Sequence, residues 1–173
     1  MKKKNIVLIG MPGCGKSTTG VLLATDFGYD FIDTDFLIIR EEGKKLPEII
    51  EESGNEGFNK IEENLCATLH VQDSVIATGG SVVYGERGMK NLSNEGIIVF
   101  IDVECDEIIR RIGDFSQRGI VLGPGQTIED LFEVRRPLYQ KYADITVETS
   151  GLTLAESSEL IGRKIREMWA AQD

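Results

Sequence analysis

A glycine-rich stretch near the start of the chain, GMPGCGKSTTG at residues 10–20, has the spacing of a phosphate-binding loop. It satisfies the pattern G-x-x-x-x-G-K-[ST] directly after an apolar run. Glycines let the backbone curl so that successive N–H groups point at phosphate oxygens, and the following helix N-terminus adds a favourable dipole. We therefore expect a nucleotide phosphate to bind to six consecutive residues, Gly13, Cys14, Gly15, Lys16, Ser17 and Thr18.

Four polar side chains could then carry phosphoryl chemistry. We expect Lys16 to bridge the β- and γ-phosphates of ATP and the Ser17 hydroxyl to ligate Mg²⁺. In FIDTD at residues 31–35, Asp33 and Asp35 occupy alternate positions of a predicted strand end, so their side chains should point to opposite sides. One can then face the magnesium ion while the other faces an acceptor hydroxyl. Alternatively, Asp35 caps a helix that begins with FLIIREE.

Five β-rich runs must position these residues. They alternate with helical patterns, which is typical of parallel βαβ units with helices on both faces. We predict strands at 5–10, 29–33, 74–78, 97–103 and 144–149. We predict four helices. The first begins within the phosphate loop, the second runs from Pro47 to a stop at Gly54, and the fourth lies near the C-terminus. The third carries the apolar stripe Phe58, Ile61, Leu65 and Leu69. The sequence thus predicts an α/β fold.

Length and composition limit the function classes. The 173 residues fit one domain, spanning 1–173. The net charge of −10, from 19 basic and 29 acidic residues, argues against nucleic acid as a partner. No apolar run approaches the length of a membrane span, so we expect a monomeric cytoplasmic protein with no membrane partner. The three cysteines are widely spaced and are expected to be free thiols.

The absence of some motifs narrows the phosphate chemistry. No NKxD-like stretch supports a GTPase, and the chain leaves little room for the second lobe of a large ATPase. A small kinase needs an acceptor pocket and a lid that excludes water from bound ATP. The glycine-rich segment 114–127 has the composition of a mobile surface loop and could supply that lid.

Five motifs, in order, resemble those of the shikimate kinase family: GMPGCGKSTTG, FIDTD, FNKIE, ATGG and RRPLY. The resemblance runs almost from end to end. It implies a three-layer P-loop kinase fold with five parallel strands, related to the nucleoside monophosphate kinases, and a lid at about 114–127. It also implies transfer of the γ-phosphoryl group of ATP to a ring hydroxyl of shikimate, a small hydroxy acid, which yields shikimate 3-phosphate in aromatic amino-acid biosynthesis.

The resemblance also implies roles for individual residues. Asp33 is similar to the aspartate of the magnesium site, and Asp35 to the residue that binds acceptor hydroxyls and takes the proton. Arg118 resembles the lid arginine that neutralises charge during transfer. Arg135 resembles one of two arginines that clamp the acceptor carboxylate. Three further positions have implied roles: Gly79 and Gly80 as the glycines that approach the substrate, and Arg111 as the arginine against adenine, for which a solvated helix arginine is an equal alternative.

Three positions depart from the family pattern. Asn59 stands where the second carboxylate-clamping arginine belongs, and Lys60 lies about 100° further round the helix. Glu62 keeps its place on the same face as Asn59 but lacks the usual cationic partner. Ser81 takes the third position of a three-glycine turn, and the usual Arg-Pro-Leu of the lid is Arg-Gly-Ile at 118–120.

All three departures concern the acceptor site or the lid. The sequence therefore supports ATP as the phosphoryl donor more directly than it identifies the acceptor. Shikimate is the leading acceptor, with Asp35, Asn59, Gly79, Gly80 and Arg135 in its site. One alternative is a kinase of another polyol or hydroxy acid, for which the Asn59 amide is the better partner. The other is a nucleotide-binding regulatory protein without turnover.

Overall fold

Five parallel strands form the sheet that organises the protein. The structure, a computed structural model, describes residues 5–113 and 119–171. The strands are β1 (Asn5–Ile9), β2 (Asp30–Asp33), β3 (Ser74–Ala77), β4 (Gly96–Asp102) and β5 (Ile145–Glu148). Their order in the sheet is β2-β3-β1-β4-β5, and every neighbouring pair is parallel. The predicted α/β fold with five parallel strands is confirmed.

Seven α-helices occur within the described residues, together with one short 3₁₀ helix at Val82–Tyr84. The helices are α1 (Lys16–Phe27), α2 (Thr34–Glu42), α3 (Leu46–Thr68), α4 (Glu86–Glu95), α5 (Cys105–Ile112), α6 (Ile128–Tyr142) and α7 (Leu154–Ala170). Every residue of β1, β3 and β4 is buried. A strand that is buried along its whole length requires cover on both faces of the sheet, and the helices provide it.

The strand order places three connecting segments side by side. β1 lies at the centre, with β3 on one side and β4 on the other, so the connections leave the carboxyl edge of the sheet in two directions. Parallel α/β sheets bind ligands at this edge, where the strand order reverses. The phosphate loop after β1, the start of α2 after β2 and the turn after β3 therefore meet at one place.

Helix α3 is interrupted at Gly54, where the predicted helix stop lies. Gly54 has φ 70° and ψ 174°, which is not helical, and the chain resumes a helix beyond it. α3 ends at Thr68, so Leu69, predicted as the last residue of the apolar stripe, lies just past the helix. The break turns the first part of α3 toward α2, where Ile38, Leu46 and Ile49 form a second small core with Phe58 and Val121.

The predicted lid segment 114–127 falls partly outside the described residues, which exclude 114–118. Residues 119–127 contain neither helix nor strand. Val121 is nevertheless buried in the second core, and a Cβ atom at Gly119 would lie 2.5 Å from the Cβ of Leu46. The C-terminal part of the segment therefore packs against α3.

Candidate active site

The phosphate loop, residues 10–18, connects β1 to α1. Gly13 and Gly15 have positive φ values of 79° and 99°, which a residue with a side chain adopts only with strain. The side chain of Lys16 is buried against the loop, and its Nζ donates hydrogen bonds to the carbonyl oxygens of Gly10 at 2.8 Å and Met11 at 2.9 Å. The ammonium group is thus held where the predicted phosphates would lie.

Ser17 and Asp33 lie in direct contact beside this loop. The Ser17 hydroxyl donates to Asp33 Oδ2 at 2.7 Å. The other carboxylate oxygen, Oδ1, accepts from the backbone N–H groups of Asp35 at 2.9 Å and Phe36 at 3.4 Å. Asp33 is therefore the N-cap of α2, and the hypothesis that Asp35 caps this helix is wrong.

The predicted alternation of Asp33 and Asp35 along one strand is also wrong. β2 ends at Asp33, whose backbone is extended, and the helix starts at Thr34. The Asp33 carboxylate reaches the free N–H groups of the first helical turn, so α2 starts directly after the predicted strand end and Asp35 lies in a helix. Asp35 lies in that first turn and still faces the cleft, but because of the helix and not because of strand alternation.

The oxygens of Ser17 and Asp33 fit a magnesium ion. Mg²⁺ prefers hard oxygen ligands and commonly keeps one or two protein ligands together with water and phosphate oxygens. Within the described part of the chain, no three His, Cys, Asp or Glu side chains form a cluster that could hold a metal ion. A hydroxyl and a carboxylate next to the phosphate loop are consistent with an ion that takes its remaining ligands from a nucleotide.

Gly79 and Gly80, which follow Thr78 after the end of β3, line the cleft. A Cβ atom at Gly79 would collide with Glu62 Oε1 and lie 3.0 Å from Asp35 Oδ1. A Cβ atom at Gly80 would lie 2.9 Å from a terminal guanidinium nitrogen of Arg135. Glycine at both positions lets these three charged side chains converge on one turn of backbone.

The pKa of Asp35 is raised to about 6, chiefly by burial. The negative charge of Asp33 contributes to this increase, and the positive charge of Lys16 opposes it. The carboxyl group thus combines a position in the cleft with a raised affinity for a proton, as a group that receives a proton requires.

Arg135, on α6, is buried and held by neutral partners. It is 1% exposed, and its guanidinium donates to the Tyr84 hydroxyl at 3.4 Å and to the carbonyl oxygen of Val121 at 3.0 Å. The guanidinium also lies 5.4 Å from the centre of the Tyr84 ring. Neither hydroxyl nor carbonyl neutralises the buried charge, so an anionic ligand in the cleft would gain a strong charge-assisted hydrogen bond here.

Ser81, just after the glycine turn, contacts Glu62, and Asn59 lies one helical turn before Glu62 on α3. Ser81 Oγ lies 2.5 Å from Glu62 Oε2. Among the described residues, neither Asn59 Oδ1 nor Glu62 Oε1 has a hydrogen-bond partner, although both atoms are buried. Burial raises the pKa of Glu62 to about 7, and the hydrogen bond from Ser81 acts in the opposite direction. The sequence marked all three positions as unusual but did not predict this contact.

Arg111 and Cys14 lie at the nucleotide end. The Arg111 guanidinium donates to the backbone oxygen of Cys14 at 3.3 Å and pairs with Glu107. It thus borders the phosphate loop, and its role against adenine stays a prediction. The Cys14 thiol is buried, 3.6 Å from Lys16 Nζ. Arg118, predicted as the lid arginine, lies outside the described residues.

One cleft of about 670 Å³ joins these groups. Asp33, Cys14 and Asn59 do not line it, whereas Ser17, Asp35, Gly79, Gly80, Arg111 and Arg135 do. Ile120 and Val121, within the predicted lid segment 114–127, also line the cleft. Sequence reasoning missed two further lining segments, Phe58 and Leu152–Leu154. The last of these follows β5 at the same edge of the sheet, and a capping-box pattern at Thr153 and Glu156 could have identified it as a helix start.

The cleft is lined by two chemically different sets of groups. The phosphate loop with Lys16 lines it, and so do Asp35 and Arg135. A phosphate bound to the loop and a hydroxyl held near Asp35 would thus share one cleft with the Arg135 guanidinium. No helix within residues 5–113 and 119–171 is long and apolar enough to cross a membrane.

Comparisons with known proteins agree with this arrangement. The model of the shikimate kinase family matches residues 12–166. Shikimate kinase of Thermodesulfovibrio yellowstonii is 38% identical over 161 residues, which cover 91% of this chain and 92% of that protein. Shikimate kinase of Thermobifida fusca is 37% identical over 161 residues, with 92% and 93% covered.

Solved structures give the same relationship. The structure of shikimate kinase from Acinetobacter baumannii in complex with shikimate superposes with a TM-score of 0.84 at 28% identity, covering 98% of this chain and 94% of that one. Thymidylate kinase from Candida albicans, at 14% identity and a TM-score of 0.57, shares the fold alone over 96% of this chain and 92% of its own.

Proposed function

The chain belongs to the shikimate kinase family, and from that premise we propose that it transfers the γ-phosphoryl group of ATP to a ring hydroxyl of shikimate, giving shikimate 3-phosphate. One observation carries the proposal: a single cleft holds the phosphate loop, Asp35 and Arg135. These are the parts that a donor phosphate, an acceptor hydroxyl and an acceptor carboxylate require.

At the donor end, Lys16 binds the β- and γ-phosphates through its ammonium group, which exchanges the carbonyl oxygens of Gly10 and Met11 for phosphate oxygens. The N–H groups from Gly13 to Thr18 bind the remaining oxygens, and Arg111 lies against the base. The Ser17 hydroxyl and the Asp33 carboxylate would hold Mg²⁺, which would supply positive charge to the phosphates.

At the acceptor end, Arg135 binds the shikimate carboxylate and Asp35 orients the reacting hydroxyl. The hydroxyl oxygen forms a bond to the γ-phosphorus, the bond from that phosphorus to the bridging oxygen of ADP breaks, and the hydroxyl proton passes to Asp35. Gly79 and Gly80 let the acceptor approach the backbone closely. We also propose that the segment 114–127 acts as a lid that excludes water, and that its Arg118 adds positive charge during transfer.

A coupled assay of ADP release tests the proposal directly. The protein should release ADP with shikimate and Mg²⁺ATP, and the product should be a phosphate monoester of shikimate by ³¹P NMR and mass spectrometry. The Lys16→Ala variant, prepared in the same way, should be inactive and thereby exclude a contaminating kinase. No turnover with shikimate at millimolar concentration, alongside measurable ATP binding, would refute the proposal.

Three further properties belong to the same proposal. We expect activity to require Mg²⁺, the protein to be monomeric, and the enzyme to act in the cytoplasm, where ATP is present. Removal of Mg²⁺ by EDTA should abolish turnover, and addition of excess Mg²⁺ should restore it. Analytical ultracentrifugation of the active protein tests the monomer.

A further inference from the structure

The turn after β3 carries a side chain where the acceptor is expected to lie against the backbone. Ser81 follows Gly79 and Gly80, lines the cleft, and is 4% exposed. Gly79 and Gly80 have no side chains, so of these three consecutive residues that line the cleft only Ser81 carries a side-chain oxygen. A hydroxyl in this position influences which hydrogen-bonding group of a ligand fits there.

The hydrogen-bonding capacity of this hydroxyl is partly used by Glu62. Ser81 Oγ lies 2.5 Å from Glu62 Oε2, in a buried contact. Glu62 itself is 1% exposed, and its other oxygen has no partner among the described residues. A buried carboxylate with a single donor holds that donor firmly. Loss of this hydrogen bond would leave nothing to offset the free-energy cost of removing the carboxylate from water.

A serine hydroxyl has one proton to donate and two lone pairs that accept. When its proton is directed to Glu62, only the lone pairs of Ser81 Oγ remain for a ligand in the cleft. A donor is therefore the matching ligand group, and on a polyhydroxylated ring that donor is a hydroxyl.

We propose that Ser81 is an acceptor-binding residue, whose hydroxyl Glu62 orients so that the Ser81 oxygen accepts a hydrogen bond from a hydroxyl group of the acceptor that does not react. The inference rests on the proposed function, since it specifies how the same site selects its acceptor. Glu62 is a positioning residue in this arrangement, because it acts on the acceptor through Ser81.

The charge of Glu62 gives the arrangement a pH signature. Burial raises the pKa of Glu62 to about 7, with Asp35 adding to the increase, while the hydrogen bond from Ser81 and the charges of Arg135 and Lys16 oppose it. Above neutral pH the carboxylate is ionised and accepts the hydrogen bond that the Ser81 hydroxyl donates. At lower pH the protonated Glu62 can itself donate a hydrogen bond to Ser81. The Ser81 hydroxyl can then donate its own proton to a ligand, so it no longer acts only as an acceptor.

The Ser81→Ala variant tests the inference, because it removes the oxygen and keeps a side chain of similar size. At pH 8 we expect the KM for shikimate to rise about 3- to 10-fold, the size expected for one lost hydrogen bond, with the KM for ATP unchanged. The increase should be smaller at pH 6. Ser74→Ala is the matched control: Ser74 is 2% exposed and donates to the Gln72 carbonyl at 2.9 Å, but lies at the opposite end of β3. It should leave both KM values unchanged.

Deoxy analogues of shikimate make the test specific. Each analogue replaces one non-reacting hydroxyl by hydrogen. The parent protein should discriminate against one analogue, and Ser81→Ala should lose that discrimination while keeping any discrimination at the other position. Should Ser81→Ala not fold, Ser81→Gly removes the same hydroxyl and permits the same comparison.

The outcomes separate the two proposals. If the parent phosphorylates shikimate and Ser81→Ala retains the same KM and the same discrimination, the role of Ser81 is refuted and the proposed function stands. If the parent does not phosphorylate shikimate, the proposed function fails and this inference fails with it. A rise in both KM values, for shikimate and ATP, would mean that Ser81 supports the fold and does not bind the acceptor.

Discussion

Asp35 is the side chain on which the proposed chemistry depends most. The Asp35→Asn variant keeps the shape of the side chain but removes the anionic oxygen that takes the proton, so turnover should fall by about 10²- to 10⁴-fold. The affinity for ATP, measured by calorimetry, should hardly change. Asp30→Asn makes the same substitution at the exposed start of β2 and should be neutral. Near-normal turnover of Asp35→Asn would remove Asp35 from the mechanism.

Asn59 provides a second test at the scale of single residues. Its amide oxygen and Glu62 Oε1, one helical turn further on, are both buried without partners among the described residues. An arginine at position 59 could donate to Glu62 and add a second cation for the acceptor carboxylate. Asn59→Arg should lower the KM for shikimate by about 5-fold or more, the effect of one charge-assisted hydrogen bond.

Lys60→Arg is the control for this change, because Lys60 is the exposed neighbour of Asn59 on the same helix. It should leave the kinetics unaltered. An unchanged KM in Asn59→Arg would show that the acceptor carboxylate does not reach this part of α3, and that Arg135 binds it alone.

Residue-level prediction succeeded where the information was local in the sequence. The phosphate loop could be identified because its spacing alone determines its backbone. The contact between Ser81 and Glu62 joins residues 19 positions apart, and Tyr84 meets Arg135 across 51 positions. Such contacts depend on how helices pack on the sheet, which no local pattern encodes.

At the scale of elements, the strands were predicted well, with their ends correct to within one residue. A run of buried apolar residues identifies a parallel strand, as in β1 and β4. β2 ends at Asp33 as predicted, but the alternation of Asp33 and Asp35 along one strand was wrong, because the Asp33 carboxylate caps α2 and Asp35 lies in that helix. The consequence is functional, since Asp35 reaches the cleft from a helix.

The break in α3 leads to an element-level prediction. Gly54 has φ 70° and ψ 174°, a region that essentially only glycine occupies, whereas Gly43 has φ 67° and ψ 18°, a left-handed conformation that asparagine tolerates. Among the described residues, no heavy atom outside the adjoining stretch of chain lies within 4 Å of a Cβ position at either glycine. Gly54→Asn should therefore lower the free energy of unfolding by about 1–3 kcal/mol, and Gly43→Asn by less than about 1 kcal/mol.

Urea unfolding of the two variants measures this difference. Because the break orients the part of α3 that carries Phe58 into the cleft, Gly54→Asn should also raise the KM for shikimate more than that for ATP. Equal stability of the two variants would mean that α3 can straighten at position 54 without cost.

At the scale of the whole molecule, pH should affect stability through the buried Glu62. Its pKa rises from 4.5 to about 7 in the folded protein, chiefly because of burial. The folded state therefore holds a proton that the unfolded state has lost, and the stability contribution of this group falls as the pH rises from about 4.5 to 7. Each unit of such a shift is worth about 1.4 kcal/mol, so the full effect is up to about 3 kcal/mol.

The Glu62→Gln variant isolates this effect, because glutamine has a similar shape and does not ionise. The charge repulsion that follows from a net charge of −10 is nearly the same in variant and parent, so it cancels in their difference. Urea unfolding between pH 5 and 8 should show that Glu62→Gln gains stability relative to the parent as the pH rises. Glu56→Gln, an exposed position on the same helix, should follow the parent at every pH. If the difference between Glu62→Gln and the parent is constant over this range, Glu62 is ionised throughout, and the pH signature expected of Ser81 is absent as well.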